Sequence, residues 1–333
     1  MKALVLTGNK PDPISIQEMT LPALQAGEVR VRVLAAALNR RDQWIRVGKY
    51  PGIKEGTILG SDGCGIVEQV GDSSLEHWLG KEVVINPNIG WGPDPMVQAT
   101  DYHILGMPTH GTFAEYVQVK ADRLHEKPAH LSAEEAAAMP LGGLTAFRAV
   151  FTHGGLHGGK DILVTGIGGG VSQFAFQYGI AVGAGVYVTS GDDEKLAKAQ
   201  ELGVHKGFNY REEGWTKAAA KERGGFDVIV DSAGGKQFGD LVKMLKPGGV
   251  LVFYGASNGL PEGIDLFRMF WNQSRIQGST MGNDREFEDM LSFASTQTLR
   301  PIIDSVTPFA EAVNAFDKMA QGKQFGKLVL KMG

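Results

Sequence analysis

The feature that most constrains this chain is a glycine-rich segment at residues 166–170, which reads Gly-Ile-Gly-Gly-Gly. The apolar run 162–164 precedes it, and residues 171–180 have the pattern of a helix. Glycine lets a phosphate group approach backbone N–H groups closely, and the start of a helix favours negative charge. The order of strand, glycine turn and helix therefore predicts a pyrophosphate site, in preference to a turn without a ligand. Its candidate contacts are Gly168, Gly169, Gly170 and Val171.

Apolar runs alternate with helical patterns through the middle of the chain. Further runs lie at residues 185–189, 226–230 and 250–254, with helical segments between them. This β-α-β alternation predicts a parallel, doubly wound sheet. The first third differs, because it has short strands separated by Gly, Pro, Asn and Asp, which predict a small β-barrel. We therefore expect an α/β protein with these two parts. The strands predicted in the first third are 3–6, 28–34, 66–70, 82–85 and 113–119.

Charge and cysteine content exclude several classes of protein. The 333 residues include 37 Asp+Glu and 33 Lys+Arg, and the net charge of −4 argues against a nucleic-acid-binding protein. Cys64 is the single cysteine, so the chain cannot form an internal disulfide framework or a zinc cluster of thiolates. No apolar run approaches the roughly 20 residues that span a bilayer. We therefore expect a cytoplasmic protein that has neither nucleic acid nor a membrane as a partner.

The end of the second strand predicted in the doubly wound sheet indicates which cofactor binds. Enzymes that use NAD commonly place Asp or Glu about 20 residues beyond the glycines, where it binds the ribose 2′-hydroxyl. This chain has Ser190 there, with Lys195 and Tyr210 following. A hydroxyl, an ammonium and a phenol suit a 2′-phosphate, so the sequence favours NADP over NAD. Two alternatives stay open: Lys195 is a solvated helix lysine, or the nearby acids at 192–193 oppose the phosphate.

Five segments resemble a known family. Residues 60–71 read GSDGCGIVEQVG, and shorter matches are GTFAEY, LTAF, LKPGG and GKLVL, which end at Tyr116, Phe147, Gly249 and Leu330. Together they resemble the medium-chain dehydrogenase/reductase superfamily, and within it the zinc-independent, quinone oxidoreductase-like branch. The resemblance implies a GroES-like catalytic domain from residues 1–140 and 281–333, and a Rossmann domain from residues 141–280. It also implies a homodimer.

The departures from the family pattern concern metal. Zinc alcohol dehydrogenases of the family have a cysteine where this chain has Asn39, and histidine and glutamate where it has Ser61 and Asp62. A second family cysteine falls near Leu141, and the segment 86–110 lacks the cysteines of the family's structural zinc lobe. Zinc needs three or four protein ligands, so we expect no metal. Histidines 103 and 110 are expected to be surface or packing residues.

The resemblance also implies roles for individual residues. Asn39 is expected to contact the nicotinamide ribose or the substrate carbonyl, with a structural hydrogen bond as the alternative. Tyr50 is expected to contact substrate or donate a proton, with packing in the pocket wall as the alternative. Cofactor contacts are implied for Thr145, Gly255 and Lys327.

These expectations define a function and its competitors. The leading hypothesis is an NADPH-dependent oxidoreductase that reduces quinones or α,β-unsaturated carbonyl compounds by hydride transfer without metal. Donors that stabilise the developing charge on the carbonyl oxygen would suffice for that reaction. The alternatives are an alcohol dehydrogenase that uses an unrecognised metal or a protein base, and a low-turnover NADPH-binding protein with a structural or interaction role.

Overall fold

A computed structural model describes residues 1–8 and 13–333. They form two compact units, one from Met1–Gly142 together with Asn283–Gly333 and the other from Gly143–Gly282. In the described part of the chain, no helix has the length and apolar character needed to cross a membrane.

The N-terminal part of the first unit is rich in strands. Residues Val29, Val31 and Val33 are buried and alternate with partly exposed neighbours, as the period-two pattern predicts for a strand with one covered face. The strands are β1 (Lys2–Leu6), β2 (Ile14–Glu18), β3 (Glu28–Ala37), β4 (Asp62–Val70), β5 (Glu82–Ile85), β6 (Asn88–Ile89), β7 (His103–Ile104), β8 (Tyr116–Lys120) and β9 (Leu124–Glu126). The helices are α1 (Arg40–Arg46) and α2 (Ala133–Ala138).

The second unit alternates strands and helices, and it begins within α3 (Pro140–Phe147), which is followed by a π-helical segment at Arg148–His153. Its strands are β10 (Asp161–Val164), β11 (Gly185–Ser190), β12 (Lys206–Asn209), β13 (Phe226–Asp231), β14 (Leu245–Phe253) and β15 (Arg275–Gly278). Its helices are α4 (Ser172–Ala181), α5 (Asp193–Glu201), α6 (Trp215–Arg223), α7 (Phe238–Lys243) and α8 (Leu266–Asn272).

The C-terminal segment completes the first unit. It contains α9 (Asp284–Thr296), β16 (Ile303–Pro308), α10 (Ala312–Gln321) and β17 (Lys327–Lys331). These strands extend a sheet of order β16-β17-β3-β4-β5-β9, and β8 also pairs with β3. Strand β17 therefore lies directly beside β3, although almost 300 residues separate them in sequence. The core of this unit includes Leu4, Val31, Phe113 and Phe316, all fully buried.

The sheet of the second unit has the order β12-β11-β10-β13-β14-β15, and every neighbouring pair is parallel. The chain starts in the centre at β10, builds one half outwards to β12, and then returns to build the other half from β13. This reversal between β10 and β13 is the place where doubly wound sheets bind ligands, at the carboxyl ends of the strands. The predicted Rossmann sheet is confirmed.

The structure corrects several predicted strands. Strand β14 begins five residues before the predicted 250–254, because the chain pairs with β13 on both sides of an irregularity near Phe226. The strand predicted at 113–119 is regular only from Tyr116, since the Phe113 N–H donates to the carbonyl oxygen of Leu59 and Ala114 pairs with Ala3 only through an isolated bridge. The strands absent from the prediction lack a continuous apolar run; they are β2, β6, β7, β9, β12, β15 and β16.

Candidate functional site

The glycine turn lies at the carboxyl edge of the parallel sheet. The chain leaves β10 and turns at Gly166, whose φ of +65° is a conformation that favours glycine. The Ser172 hydroxyl lies 2.8 Å from the carbonyl oxygen of Gly166 and 2.9 Å from that of Gly169. Ser172 thereby fixes the turn and begins the ten-residue helix α4. The predicted contacts Gly168, Gly169, Gly170 and Val171 form the partly exposed end of this turn, where α4 presents its N-terminus.

The buried Asp231 carboxylate holds the residues next to this turn in place. The Thr165 hydroxyl donates to Asp231 Oδ1 at 2.6 Å, which ties the end of β10 to the end of β13. Asp231 Oδ2 accepts the backbone N–H groups of Ala233 and Gly234 at 3.1 and 2.8 Å. Both carboxylate oxygens are therefore engaged, and the two strand ends at the reversal of the sheet are held together.

Ser190 ends β11 at the same edge of the sheet. It is buried, and its hydroxyl oxygen accepts the backbone N–H of Asp192 at 3.1 Å, so the hydroxyl hydrogen can still be donated to a ligand. Tyr210 follows β12, and its backbone N–H donates to the carbonyl oxygen of Ser190 at 3.0 Å. The structure thus brings Ser190 and Tyr210 together.

The acids near Ser190 belong to the cap of helix α5. Asp192 Oδ1 accepts the backbone N–H groups of Glu194 and Lys195, and Asp193 Oδ1 accepts the Asn209 amide at 2.7 Å. Both carboxylates are therefore used locally, in the first turn of α5 and between α5 and β12. Lys195 lies in that first turn of the helix.

Two further predicted contacts lie in the second unit. Thr145 is buried in α3, and its hydroxyl contacts the sulfur of Met281 at 3.7 Å. Gly255 follows β14, and a Cβ atom there would come within 2.9 Å of the carbonyl oxygen of Ser232. Glycine at this position lets the chain pass close to the loop after β13.

In the first unit, three side chains from distant parts of the sequence meet in the interior. Asn39 Nδ2 donates to Asp62 Oδ2 at 2.9 Å, and Lys327 Nζ donates to Asn39 Oδ1 at 2.7 Å and to Asp62 Oδ2 at 2.9 Å. The sheet explains the meeting, because β17 and β4 flank β3 and Asn39 follows the end of β3. Lys327 and Asp62 are fully buried, and Asn39 is 7% exposed. We call Asn39, Asp62 and Lys327 the amide–lysine cluster.

A second buried carboxyl lies beside the cluster. Asp42 Oδ2 accepts the backbone N–H of Asn39 at 2.7 Å and so fixes the start of α1, whereas Asp42 Oδ1 is buried without a hydrogen-bond partner. Burial raises the pKa of the Asp42 carboxyl to about 6, and the neighbouring Arg41 guanidinium opposes this rise. The site therefore contains one carboxyl that titrates near neutral pH.

Arg41 connects the predicted Tyr50 to the same region. Its Nε donates to the Tyr50 hydroxyl oxygen at 3.2 Å, and its guanidinium lies 4.8 Å from the centre of the Tyr50 ring. Its Nη1 donates to Ser61 Oγ at 2.5 Å and to the carbonyl oxygen of Leu105 at 2.9 Å. Because an arginine only donates, the Tyr50 hydroxyl accepts here and keeps its own hydrogen for another partner.

Comparison with known proteins identifies the family. The family model of the alcohol dehydrogenase GroES-like domain matches residues 25–129, and that of zinc-binding dehydrogenases matches residues 170–296. A zinc-type alcohol dehydrogenase-like protein, YogA, of Leptosphaeria maculans is 36% identical over 96% of this chain and 95% of its own length. The chain belongs to the medium-chain dehydrogenase/reductase superfamily. It is therefore an oxidoreductase of a superfamily that binds NAD(P).

Other members of this superfamily differ in reaction. The crystal structure of an NAD-dependent alcohol dehydrogenase is 35% identical, with a TM-score of 0.92 and complete coverage of both chains. The acryloyl-coenzyme A reductase of Sulfurisphaera tokodaii is 28% identical over 99% of this chain and 100% of its own length. The proteins similar to this chain thus include an alcohol dehydrogenase and an acryloyl-coenzyme A reductase.

The zinc implied by the family names can be tested against the residues of this medium-chain oxidoreductase. At the expected ligand positions, Asp62 is paired with the Lys327 ammonium and Asn39 is bonded to both. Ser61 is bonded to Arg41, and Leu141 has no ligating side chain, although its N–H donates to Asp62 Oδ1. A divalent cation there would lie beside an ammonium and lack tetrahedral ligands, so these residues do not fit zinc.

Elsewhere in the described residues, no group of three or more His, Cys, Asp or Glu side chains could hold a metal ion. His110 accepts the backbone N–H of Ile58 at 3.1 Å, and burial lowers its pKa. His103 Nδ1 lies 3.2 Å from the carbonyl oxygen of Asp101. Cys64 is fully buried, and burial raises the pKa of its thiol to about 12, so it is not a reactive thiolate.

Two arginines of this oxidoreductase were missed by the sequence reasoning. Arg41 gave no signal because its partners are mostly backbone carbonyls of a loop more than 60 residues away. The Arg211 guanidinium packs over Gly191, where a Cβ atom would come within 2.8 Å of both Arg211 Nε and the Tyr210 ring. The missing side chain of Gly191 therefore leaves room for Arg211 beside the residue that follows Ser190. In the sequence, only the position of Arg211 directly after Tyr210 could have indicated that this arginine lies near the cofactor contacts.

Proposed function

We propose that this oxidoreductase reduces quinones or α,β-unsaturated carbonyl compounds by hydride transfer from NADPH without a metal ion. The observation that carries the proposal is the amide–lysine cluster, in which an internal ammonium pairs with the one carboxylate at the expected ligand positions. Alcohol oxidation commonly uses a Lewis acid to make an alkoxide accessible near neutral pH. Reduction of an activated C=C bond needs only donors to the carbonyl oxygen on which charge develops. The reductase relative from Sulfurisphaera supports this class of reaction.

The chain offers two such donors in the first unit. The Asn39 amide has one N–H that the cluster does not use, and the Tyr50 hydroxyl keeps its hydrogen because Arg41 occupies its oxygen as a donor. When bound, NADPH supplies the hydride. Asn39 and Tyr50 would orient the acceptor and stabilise its oxygen, with Tyr50 or solvent supplying the proton to the product.

The Rossmann unit offers the residues that would hold the cofactor. The glycine turn and the start of α4 fit a pyrophosphate. The Ser190 hydroxyl, the Tyr210 phenol and the exposed Arg211 guanidinium supply donors at the end of β11, and Lys195 adds a nearby ammonium. These donors support NADP over NAD, because a 2′-phosphate gains charge-assisted hydrogen bonds that a 2′-hydroxyl does not.

Ser190→Asp tests the cofactor preference. A carboxylate at this position would repel a 2′-phosphate and accept from a 2′-hydroxyl. We expect the ratio of kcat/KM for NADPH to that for NADH to fall by about 10- to 100-fold, since 1.4 kcal/mol corresponds to tenfold. Gln297→Glu adds the same charge at an exposed position of the other unit and serves as the control. An unchanged ratio in Ser190→Asp would show that the 2′ group lies elsewhere.

The reaction itself is tested by oxidation of NADPH with cyclohex-2-enone, 1,4-benzoquinone and a simple aldehyde, together with metal analysis of the purified protein. Turnover of the first two by protein with less than about 0.1 metal ion per chain supports the proposal.

The second candidate is an alcohol dehydrogenase, which the 35% identity to the NAD-dependent enzyme favours. About one zinc per chain with turnover restricted to the aldehyde would establish it instead. Tight NADPH binding without turnover of any of the three compounds would instead indicate a low-turnover NADPH-binding protein.

We also propose a cytoplasmic homodimer, assembled at the free edge of the Rossmann sheet. Strand β15 ends that sheet, and helix α8 exposes large apolar side chains. Phe267 is 69% exposed, Phe270 64% and Trp271 73%. A contiguous apolar surface of this kind marks an interface, and a second copy offers the same surface together with an unpaired strand edge.

The assembly is tested by sedimentation velocity. The unaltered protein is expected to sediment as a dimer, and Phe267→Glu with Phe270→Glu as a monomer. Met96→Glu changes an exposed apolar residue of the other unit and is expected to stay dimeric. A monomeric unaltered protein would refute the proposal.

A further inference from the structure

The amide–lysine cluster fixes which way the Asn39 amide faces. Lys327 Nζ lies 2.7 Å from Asn39 Oδ1, and Asp62 Oδ2 lies 2.9 Å from Asn39 Nδ2. An ammonium can only donate and a carboxylate can only accept. Rotating the amide by 180° would set its NH₂ group against the ammonium and its oxygen against the carboxylate. Only one orientation is therefore compatible with both neighbours.

Burial makes this preference strong. The side chains of Lys327 and Asp62 are 1% and 0% exposed, so water does not screen them. Hydrogen bonds and repulsions are both larger in such a low-dielectric interior. Lys327 and Asp62 also bond to each other at 2.9 Å, which closes a ring of three hydrogen bonds. Within the ring Asn39 Oδ1 accepts one hydrogen bond and Asn39 Nδ2 donates one, so the ring does not use the second Nδ2–H.

We propose that Lys327 is a positioning residue that holds Asn39 as a hydrogen-bond donor to the carbonyl oxygen of the acceptor. This rests on the proposed function, and it replaces the role of cofactor contact that the family resemblance implies for Lys327. The ligand group opposite Asn39 is then a hydrogen-bond acceptor, as the oxygen of an enone or a quinone is. Lys327 acts through Asn39 and does not touch the reacting atoms.

Lys327→Gln tests the proposal by kinetics. Glutamine can present either a donor or an acceptor to Asn39, so the amide would no longer be held in one orientation. With cyclohex-2-enone as acceptor, we expect kcat to fall by at least tenfold while the Kd of NADPH, measured by its fluorescence, stays within twofold. In an Asn39→Ala background the same change is expected to lower kcat by less than twofold. Lys246→Gln, which alters a lysine–aspartate pair of the other unit, is the matched control.

Two results, one on NADPH binding and one on kcat, would overturn the proposal. A tenfold weaker Kd for NADPH in Lys327→Gln would make Lys327 a direct cofactor contact. Equal losses of kcat in the presence and absence of the Asn39 side chain would show that Lys327 does not act through Asn39. If Lys327→Gln does not fold, Lys327→Met combined with Asp62→Asn removes both charges, so neither neighbour fixes the orientation of the Asn39 amide, and this variant is expected to give the same pattern.

A spectroscopic measurement separates this proposal from the proposed function. In protein labelled with ¹⁵N-asparagine, the Asn39 side-chain signal is the one missing from Asn39→Ala. We expect its two amide hydrogens to exchange slowly with solvent in the unaltered protein and at least tenfold faster in Lys327→Gln, with no change in Lys246→Gln. Unchanged exchange in Lys327→Gln refutes the positioning role even if the enzyme is active. Failure to reduce any acceptor refutes the proposed function while this signal still reports on Lys327.

Discussion

Two lysine–aspartate groups in this protein have nearly the same geometry and very different surroundings. Lys327 Nζ lies 2.9 Å from Asp62, and both side chains are almost completely buried. Lys246 Nζ lies 2.7 Å from Asp161 and 2.8 Å from Asp227, and its side chain is 26% exposed. The first group contains an amide as its third member, whereas the second contains another carboxylate.

The positions of the two groups explain the difference. Asp161, Asp227 and Lys246 lie at the amino ends of β10, β13 and β14, the edge of the sheet opposite to the glycine turn. They hold strand ends together where water still reaches Lys246 and Asp227, although the Asp161 side chain is buried. The amide–lysine cluster lies in an interior, where desolvation of two charges commonly outweighs their attraction. We infer that the partly exposed group serves the fold, and that the fully buried group orients Asn39.

The largest expected difference between the two groups concerns removal of the lysine. Lys327→Met leaves the buried Asp62 carboxylate unpaired, and we expect it to lower the free energy of unfolding by about 3–5 kcal/mol. Lys246→Met leaves Asp227, which water still reaches, and the buried Asp161, which keeps the Arg223 guanidinium 3.5 Å away, so we expect a loss of about 1 kcal/mol. Urea denaturation of both variants measures this. Similar losses would abolish the distinction between the two groups.

A second substitution sharpens the comparison. Lys327→Met combined with Asp62→Asn removes both charges, and the introduced amide oxygen can still accept the backbone N–H of Leu141 that Asp62 accepts now. We expect the double variant to regain about 2 kcal/mol relative to Lys327→Met alone, because no uncompensated charge is left in the interior. The equivalent pair, Lys246→Met with Asp161→Asn, is expected to regain less than about 0.5 kcal/mol. Additive losses in the buried group would contradict the inference that desolvation dominates there.

The pH dependence of stability is expected to have opposite signs beside the two groups. Burial raises the pKa of Asp42 from 3.8 to about 6, so the folded state holds a proton that the unfolded state releases above pH 4. Asp42 therefore lowers stability as the pH rises from 4 to 7. Relative to Asp42→Asn, we expect the unaltered protein to lose about 2 kcal/mol of unfolding free energy over this interval. Measuring the difference between the two proteins cancels any constant cost of the substitution.

Asp227 serves as the control, because its effect on the pH dependence of stability is expected to have the opposite sign. Burial alone would raise its pKa, but hydrogen bonds from the Lys246 ammonium and the backbone N–H of Asp161 outweigh this and hold the pKa below its usual value. Its contribution is therefore present above pH 4 and is lost as the pH falls further. Relative to Asp227→Asn, the unaltered protein is expected to gain stability between pH 3 and pH 5 and then stay level. The same sign for both carboxyls would contradict this account.

The fold was predictable from sequence where local patterns decide the structure. The central strands β10, β11 and β13 are buried on both faces, so they appear as apolar runs, and the glycine turn marks where a helix follows the first of them. The edge strands β12 and β15 read Lys-Gly-Phe-Asn and Arg-Ile-Gln-Gly, and they were missed because pairing with one neighbour requires no apolar run. Tertiary pairing forms these strands, and local preference does not.

The candidate site was predictable residue by residue but not as an arrangement. Asn39 and Lys327 were both selected from the family resemblance, without any indication that they touch. Their contact depends on the register by which β17 pairs with β3, and no local pattern encodes a pairing between strands so far apart. Arg41 and Arg211 were missed for a related reason, since their neighbours are backbone carbonyls and the bare Cα of a glycine.

The sequence separation within the amide–lysine cluster has a consequence for biosynthesis. Lys327 lies 265 residues after Asp62 and 288 after Asn39, so both partners leave the ribosome long before the lysine is made. Until β17 docks, a nascent chain carries an uncompensated acid at the centre of its first sheet. A chain whose translation stops before this strand would keep the Asp62 carboxylate without the Lys327 ammonium and could not form its complete core. Proteases and chaperones could therefore distinguish it from the finished protein.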